Sequence, residues 1–177
     1  MPGPVFLHGE RVTLRVLEEA DLPFVQRAAN DPDLRRATGG QQFPSTRAYE
    51  ERQFEARDAD PEVLELLICA DGDPVGVVAF EQLDRDADAA TLSYWLVPEA
   101  RGNGYAREAV ERFLTFGFDE LGLHRVTAEA FSFNERSQTL LDRLGFTHEG
   151  TRREDVFADG RRHATRVYGL LAREWRD

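Results

Sequence analysis

Two glycines in the middle of the chain, Gly102 and Gly104, separate a strand-like segment from a long helical segment. Residues 89–96 have the alternating pattern of a strand, whereas residues 104–120 carry apolar side chains at helical spacing. A backbone without Cβ atoms can approach an anion closely, and the free N–H groups at a helix N-terminus favour negative charge there. The segment therefore predicts a phosphate-binding loop, with a simple glycine turn as the alternative.

The flanking patterns predict a mixed α+β fold. Strands are expected at residues 11–16, 63–70, 74–82, 89–96, 125–131, 147–157 and 163–171, and helices at residues 21–29, 45–58, 104–120 and 134–144. Ser45 is expected to begin the second helix, and Gly145 to end the fourth in a left-handed conformation. This order is not a repeated βαβ pattern, and 177 residues suit one domain.

Composition excludes several classes of protein. All 22 basic residues are arginines, so the chain has no lysine for a Walker-type loop, a Schiff base or pyridoxal phosphate. Arg107 stands where a dinucleotide fingerprint needs a third glycine or alanine. The net charge of −11 argues against a nucleic-acid partner, and the single cysteine, Cys69, excludes an intramolecular disulfide. With neither a long apolar run nor a leader pattern, a cytoplasmic protein without a membrane partner is expected.

The glycine loop and its flanks resemble the acyl-CoA motif of the GCN5-related N-acetyltransferase (GNAT) family, Q/R-x-x-G-x-G/A. In this chain the motif reads Arg101-Gly102-Asn103-Gly104-Tyr105-Ala106. A second family block, N-x-x-S followed by a helix that ends in L-G-F, matches Asn134 to Ser137 and Leu144 to Phe146. Both ends of the chain are similar to the RimJ/RimL-like branch, so the resemblance covers nearly the whole sequence.

The resemblance implies a single-domain GNAT fold over residues 1–177. Its sheet would be mixed, mostly antiparallel and seven-stranded, splayed between strands four and five, with helices on both faces. Acetyl-CoA would donate the acetyl group directly to an amine, without a metal. The residues expected to bind the cofactor are Leu96, Val97, Arg101, Gly102, Asn103, Gly104, Tyr105, Ala106, Asn134 and Arg143.

Two catalytic roles are assigned by the resemblance and by the chemistry of the reaction. Ser137 matches a position that relatives use to protonate the leaving thiolate, although a hydrogen bond at a helix N-terminus is an equal alternative. An N-cap role is likewise the alternative for Asn134. An ammonium acceptor must also lose a proton, for which Glu81, Glu129 and Glu154 are candidates and Glu154 is preferred.

The acceptor is less constrained than the donor. The branch implies the N-terminal α-amino group of a protein, often a ribosomal one, while a polyamine, an aminoglycoside or an amino acid is the rival. A non-catalytic acyl-CoA-binding module is the third hypothesis. Acceptor selection is expected in residues 21–58. The histidines lack metal-ligand spacing, and candidates for either a homodimer contact or the core are Phe6, Phe43, Trp95 and Trp175.

Overall fold

The computed structural model describes residues 2–39 and 43–176. One sheet runs through it, with strand order β1-β2-β3-β4-β5-β6-β8-β7, and every neighbouring pair is antiparallel except β5 and β6. The strands are β1 (Val5–His8), β2 (Val12–Val16), β3 (Leu64–Ala70), β4 (Asp73–Asp84), β5 (Ala89–Leu96), β6 (Arg125–Phe131), β7 (Thr147–Ala158) and β8 (Arg161–Leu171). The predicted mixed, mostly antiparallel α+β fold is confirmed.

The expected count of seven strands is wrong, because β1 adds an eighth strand at the edge of the sheet. This strand has only four residues, too few for its alternation to stand out in the sequence. It forms because the chain turns back at Gly9, whose N–H donates to the carbonyl of Val12 at 2.9 Å, and pairs with the open edge of β2. Edge-to-face contact between Phe6 and Phe116, at 5.2 Å between ring centroids, holds β1 against a helix.

The helices are α1 (Leu22–Ala29), α2 (Pro32–Thr38), α3 (Arg47–Asp58), α4 (Tyr105–Asp119), α5 (Glu135–Arg143) and α6 (Ala172–Arg176). Helix α2 was not expected, although Asp31 caps its first turn by accepting from the N–H of Leu34, and Gly39 ends it with a φ of 65°. The predicted start of α3 is also wrong. Thr46 is its N-cap, and its hydroxyl accepts from the N–H of Tyr49.

Helices cover both faces of the sheet, because successive side chains of a strand point to opposite faces. On one face, Leu66 and Ile68 join the main core, in which Phe113 of α4 stacks on Phe80 at 4.2 Å between ring centroids. On the other face, Leu67 and Cys69 pack against α1 in a smaller cluster. Burial raises the pKa of the Cys69 thiol to about 11, which agrees with a structural cysteine.

Of the four aromatic residues proposed for either the core or a dimer contact, two pack against the core clusters and two are exposed. Trp95 stacks on Phe24, and Trp175 packs against the main core. Phe6 and Phe43 are exposed. A homodimer contact stays a prediction.

The parallel strands β5 and β6 diverge. Their pairing runs only from Ala89 opposite Arg125 to Leu92 opposite Ala128. Residues 93–96, all within the described part of the chain, pair with β4 alone. A gap therefore opens in the sheet at the end of β5 that leads into the glycine loop.

Candidate active site

Residues 101–106, here called the cofactor loop, connect a short 3-10 turn after β5 to the first turn of α4. Gly102 and Gly104 have φ values of 84° and 82°, a conformation that suits glycine. No side chain among the described residues caps α4 at Gly104. The N–H groups of the first turn have no partner within the helix, so they can bind an anion such as a pyrophosphate.

Two residues brace this loop: Arg11, in the hairpin between β1 and β2, and Glu108, on α4. The guanidinium Nη1 of Arg11 donates to the carbonyl of Asn103 at 2.9 Å, and its Nε donates to Glu108 Oε2 at 3.2 Å. Glu108 Oε1 in turn accepts from the backbone N–H groups of Arg11 at 2.7 Å and Val12 at 3.1 Å. Sequence reasoning missed this brace, because 97 residues separate Arg11 from Glu108 and neither stands in a motif that names the other.

The same hydrogen bonds set the ionisation of Glu108. Its partial burial alone would raise the pKa of the carboxyl group. The hydrogen bonds from the N–H groups of Arg11 and Val12, and from the Arg11 guanidinium, outweigh this effect and lower the pKa below its usual range. Glu108 is therefore charged whenever the loop is in use near neutral pH.

Arg101 and Arg143, both expected to bind the cofactor, and the neighbouring Arg107 lie in different environments. Arg101 is half-buried, and its Nε donates to the carbonyl of Leu96 at 3.2 Å, which ties the loop to the end of β5. Arg107 forms an exposed pair with Glu111 at 2.7 Å. Arg143 is exposed at the end of α5, about 9 Å along the helix axis from Ser137. Arg101 is thus tied to the end of β5, while Arg143 lies nearly two turns of α5 beyond Ser137.

Leu96 and Val97 do not offer the same backbone groups. The N–H of Val97 donates to the carbonyl of Val75 on β4 at 2.9 Å. This N–H is therefore already engaged, although Val97 was expected to bind the cofactor. Backbone groups alternate sides along a strand, so those of Leu96 face the gap between β5 and β6. Binding of the cofactor by Leu96 stays a prediction.

A cavity of about 560 Å³, here called the central cleft, opens where β5 and β6 diverge. At its base the hydroxyls of Tyr94 and Ser137 are 2.8 Å apart. Burial raises the pKa of Tyr94 to about 12, against the opposing effect of the Ser137 hydrogen bond, so the phenol keeps its proton at neutral pH. Sequence reasoning missed Tyr94, which lies on β5 and 43 residues from Ser137.

Asn134 lies in the wall of the central cleft as the N-cap of α5. Its side-chain oxygen accepts from the N–H of Ser137 at 3.3 Å, and its amide nitrogen donates to the carbonyl of Ala37 at 3.2 Å. These contacts show the N-cap role of Asn134, which can coexist with pantetheine binding, and the latter stays a prediction. They also hold the C-terminal end of α2 beside the Tyr94–Ser137 hydroxyl pair.

The three glutamates considered as bases do not lie together. Glu81 and Glu129 line the central cleft. Glu154 does not line it and is exposed on β7, the edge strand, where pairing with β8 is irregular and its φ is 53°. The structure places the preferred candidate outside the central cleft and the other two inside it.

A second pair of carboxylates in the cleft was not expected from the sequence. Glu65 lies beside Arg57, whose Nη2 is 3.1 Å from Glu65 Oε2 and 2.6 Å from Glu81 Oε1. Burial raises the pKa of Glu65, with Arg57 opposing the change and Glu81 and Glu50 adding to it. Glu50 is buried and accepts from the Ser45 hydroxyl. No local pattern marks these residues, which are brought together by packing of α3 over β3 and β4.

The residues that the structure describes contain no group of three or more His, Cys, Asp or Glu side chains placed to hold a metal ion. Over residues 2–39 and 43–176, no helix combines the length and apolarity needed to cross a membrane.

Solved structures share this architecture. Spermidine N-acetyltransferase from Vibrio cholerae, in complex with CoA and spermine, has a TM-score of 0.88 at 23% identity and covers 94% of this chain and 99% of its own. RimL, the ribosomal L7/L12 α-N-protein acetyltransferase in complex with CoA, has a TM-score of 0.87 at 18% identity and covers 95% of this chain and 98% of its own. At these identities the likeness shows the fold alone.

The chain belongs to the GNAT acetyltransferase family, because the family model described as "Acetyltransferase (GNAT) domain" matches residues 11–147. A relative named putative ribosomal N-acetyltransferase YdaF, from Bacillus subtilis strain 168, is 34% identical over 117 residues. The match covers 66% of this chain and 64% of YdaF, slightly less than two thirds of that relative. It supports the RimL-like branch that the motifs indicate.

Proposed function

We propose that this protein transfers the acetyl group of acetyl-CoA to a primary amine, and that the amine is the N-terminal α-amino group of a protein. The observation that carries the proposal is the Tyr94–Ser137 hydroxyl pair, 2.8 Å apart at the gap beside the cofactor loop. The resemblance to YdaF supports a protein acceptor. Similarity to spermidine acetyltransferases makes a small amine the second candidate.

The donor would bind with its pyrophosphate on the N–H groups of the cofactor loop and its pantetheine arm along the gap-facing edge of β5. The neutral amine then attacks the thioester carbon. A C–N bond forms, the C–S bond breaks, and the thiolate takes a proton. Tyr94 can donate it, with Ser137 holding the phenol in place or relaying the proton.

The proton lost by the acceptor needs a second group. Glu81 and Glu129 line the central cleft and can receive it through water, whereas Glu154 would have to act from outside the cleft. The products are the N-acetylated acceptor and CoA with a free thiol. The reaction needs no covalent enzyme intermediate, which agrees with the buried, un-ionised Cys69 thiol.

Release of free thiol from acetyl-CoA tests the proposal, with N-terminal peptides and small amines as acceptors. We expect turnover with a peptide, and we expect Tyr94→Phe to lower kcat about 100-fold, the usual contribution of a general acid. CoA affinity, measured by calorimetry, should stay unchanged. Thr115→Val removes a hydroxyl that bonds the carbonyl of Glu111 within α4, and it serves as the control. Full turnover by Tyr94→Phe would remove the phenol from the mechanism, and CoA binding without turnover on any amine would favour a binding module.

A further inference from the structure

The acidic side chains that line the central cleft already have partners within the chain. Arg57 pairs with both Glu65 and Glu81. Glu129 pairs with Arg152, and Glu50 accepts from the hydroxyl of Ser45. The negative charge of these glutamates is therefore largely committed to the protein itself.

Arg35 is the one charged side chain of the described lining without an ion pair or a side-chain hydrogen bond, whereas Arg57, whose Nε is also unpartnered, pairs through its Nη2. Arg35 projects from α2 into the wall of the cleft and is half-buried. Its Nε is buried without a hydrogen-bond partner, and among the described residues its guanidinium forms no ion pair. A buried donor left unpaired costs free energy, and a charged donor costs more than a neutral one.

The neighbouring Arg36 shows what a committed arginine on the same helix looks like. Its Nε pairs with Asp159 Oδ2 at 2.6 Å, and its guanidinium lies over the ring of Phe133, 5.3 Å from the centroid. Arg36 is not part of the cleft lining. Two adjacent arginines therefore point to different surroundings, one to an internal partner and one to the cleft.

The position of α2 places Arg35 near the reacting groups. The carbonyl of Ala37 accepts from Asn134, the N-cap of the helix that carries Ser137. Leu34, Ala37 and Thr38 line the cleft together with Arg35. An acceptor whose amine reaches Tyr94 and Ser137 can therefore contact this wall.

We propose that Arg35 binds a carboxylate of the acceptor, so that the substrate is an amine with a carboxylate close by. This inference rests on the proposed function. An arginine guanidinium can bind a carboxylate through two parallel hydrogen bonds, which gives orientation as well as affinity. An acidic residue next to a protein N-terminus and the carboxylate of a free amino acid share this chemistry. A polyamine lacks it and brings like charge to Arg35.

Matched acceptors test the inference on the wild-type protein. The first pair is two peptides that differ only in Glu or Gln at their second position, and the second pair is free alanine and alaninamide, which lacks the carboxylate. We expect kcat/KM to be about 10- to 100-fold higher for the member with the carboxylate, the range of a charge-assisted hydrogen bond. Preference within the first pair alone identifies the peptide as the source of the carboxylate. Preference within the second pair identifies the amino acid.

Two arginine variants localise the effect. Arg35→Gln should reduce the preference to less than about threefold. Arg36→Gln, on the next position of the same helix, should retain the wild-type preference. Thermal unfolding of both variants shows whether they fold, and the wild-type comparison stands even if Arg35→Gln does not.

Several outcomes would overturn the inference while leaving the proposed function intact. Turnover without preference for the acidic member of either pair is one, and a higher kcat/KM for spermidine than for every acidic acceptor is another. If no amine is acetylated, the proposed function fails instead. Calorimetric binding of the two peptides to the CoA complex then tests Arg35 directly, and equal affinities would refute its role.

Discussion

The cofactor loop and the central cleft are built in opposite ways. The loop consists of six consecutive residues, and it would bind its ligand mainly through backbone N–H groups. The cleft takes side chains from α1, α2, α3 and α5 and from the four strands β3 to β6, and its charged groups meet only after folding. Under the proposed function, binding of the donor would thus depend on local backbone geometry, whereas acceptor choice would depend on side chains far apart in sequence.

Two carboxylates express the same difference. Glu108 supports the cofactor loop, and hydrogen bonds from backbone N–H groups lower its pKa. Glu65 lies in the central cleft, where burial raises its pKa. Glu108, which accepts hydrogen bonds from backbone N–H groups, is stabilised as an anion. Glu65, which is buried in the cleft, is not.

The largest effect is expected in the core that both regions share. Phe113 is fully buried and stacks on Phe80, so Phe113→Ala should lower the free energy of unfolding by about 3–5 kcal/mol. Urea denaturation measures this change. Phe157→Ala, at a side chain 57% exposed, is the control and should stay within about 0.5 kcal/mol of wild type. A loss below about 1 kcal/mol for Phe113→Ala would contradict the packing described for α4.

A change in the cofactor loop should weaken the donor without altering acceptor choice. Gly104→Val places a β-branched residue at a φ of 82°, where its Cβ would also stand 3.0 Å from Arg11 Nη2. The strain costs about 2 kcal/mol, so CoA affinity measured by calorimetry should fall roughly 10- to 30-fold. The control is Gly160→Ala. Gly160 has a similar φ of 76° in the turn between β7 and β8, and this variant should leave CoA affinity unchanged. Equal losses in both variants would mean that strain alone, and not the loop, determines the effect.

Glu108→Gln tests the brace through its dependence on pH. Because the folded-state pKa lies below the ordinary value of 4.5, charged Glu108 stabilises the protein above pH 4.5 and loses this contribution as pH falls through the folded-state pKa. We expect Glu108→Gln to cost about 1–2 kcal/mol at pH 7 and progressively less below pH 4. Urea unfolding of the variant and the wild type across pH 3 to 8 measures the difference in free energy of unfolding at each pH. A difference independent of pH would show that the charge of Glu108 is not what matters.

Glu65→Gln should have the smallest effect, with the opposite sign. The raised folded-state pKa means that ionised Glu65 costs stability at neutral pH and that this cost disappears below its ordinary value of 4.5. The variant should be more stable than wild type at pH 7, by less than about 1 kcal/mol, because Arg57 keeps Glu81 as a partner. At pH 4 the two proteins should converge. A destabilised variant at pH 7 would show that the pair with Arg57 outweighs the cost of burial.

The sequence predicted one of these regions far better than the other. The strand, the glycine loop and the helix of the cofactor side were located to within a residue or two, because their signals lie in consecutive residues. Helix α2 carried start and stop signals in Asp31, Pro32 and Gly39, but its seven residues were too few to show a helical period. Strand β1 was missed for the same reason of length.

Side-chain partnerships across the chain had no local signal. Tyr94 meets Ser137 because its side chain points to one face of β5, while the next residue, Trp95, points to the other and stacks on Phe24. A shift of one residue in the pairing with β4 would exchange them. Such contacts depend on strand register and on how helices pack over the sheet, which neighbouring residues in the sequence do not specify.

By itself the sequence determined the family, the position of the glycine loop, and the order of the longer strands and helices, since backbone conformation follows from glycines, caps and periodicity. Only the tertiary structure decided which residues face the gap between β5 and β6. It engaged the N–H of Val97, left Glu154 outside the central cleft, and brought Arg11 to the loop and Arg35 to the cleft. The physical reason is that these contacts join side chains tens of residues apart, whose distance is fixed by the packed sheet.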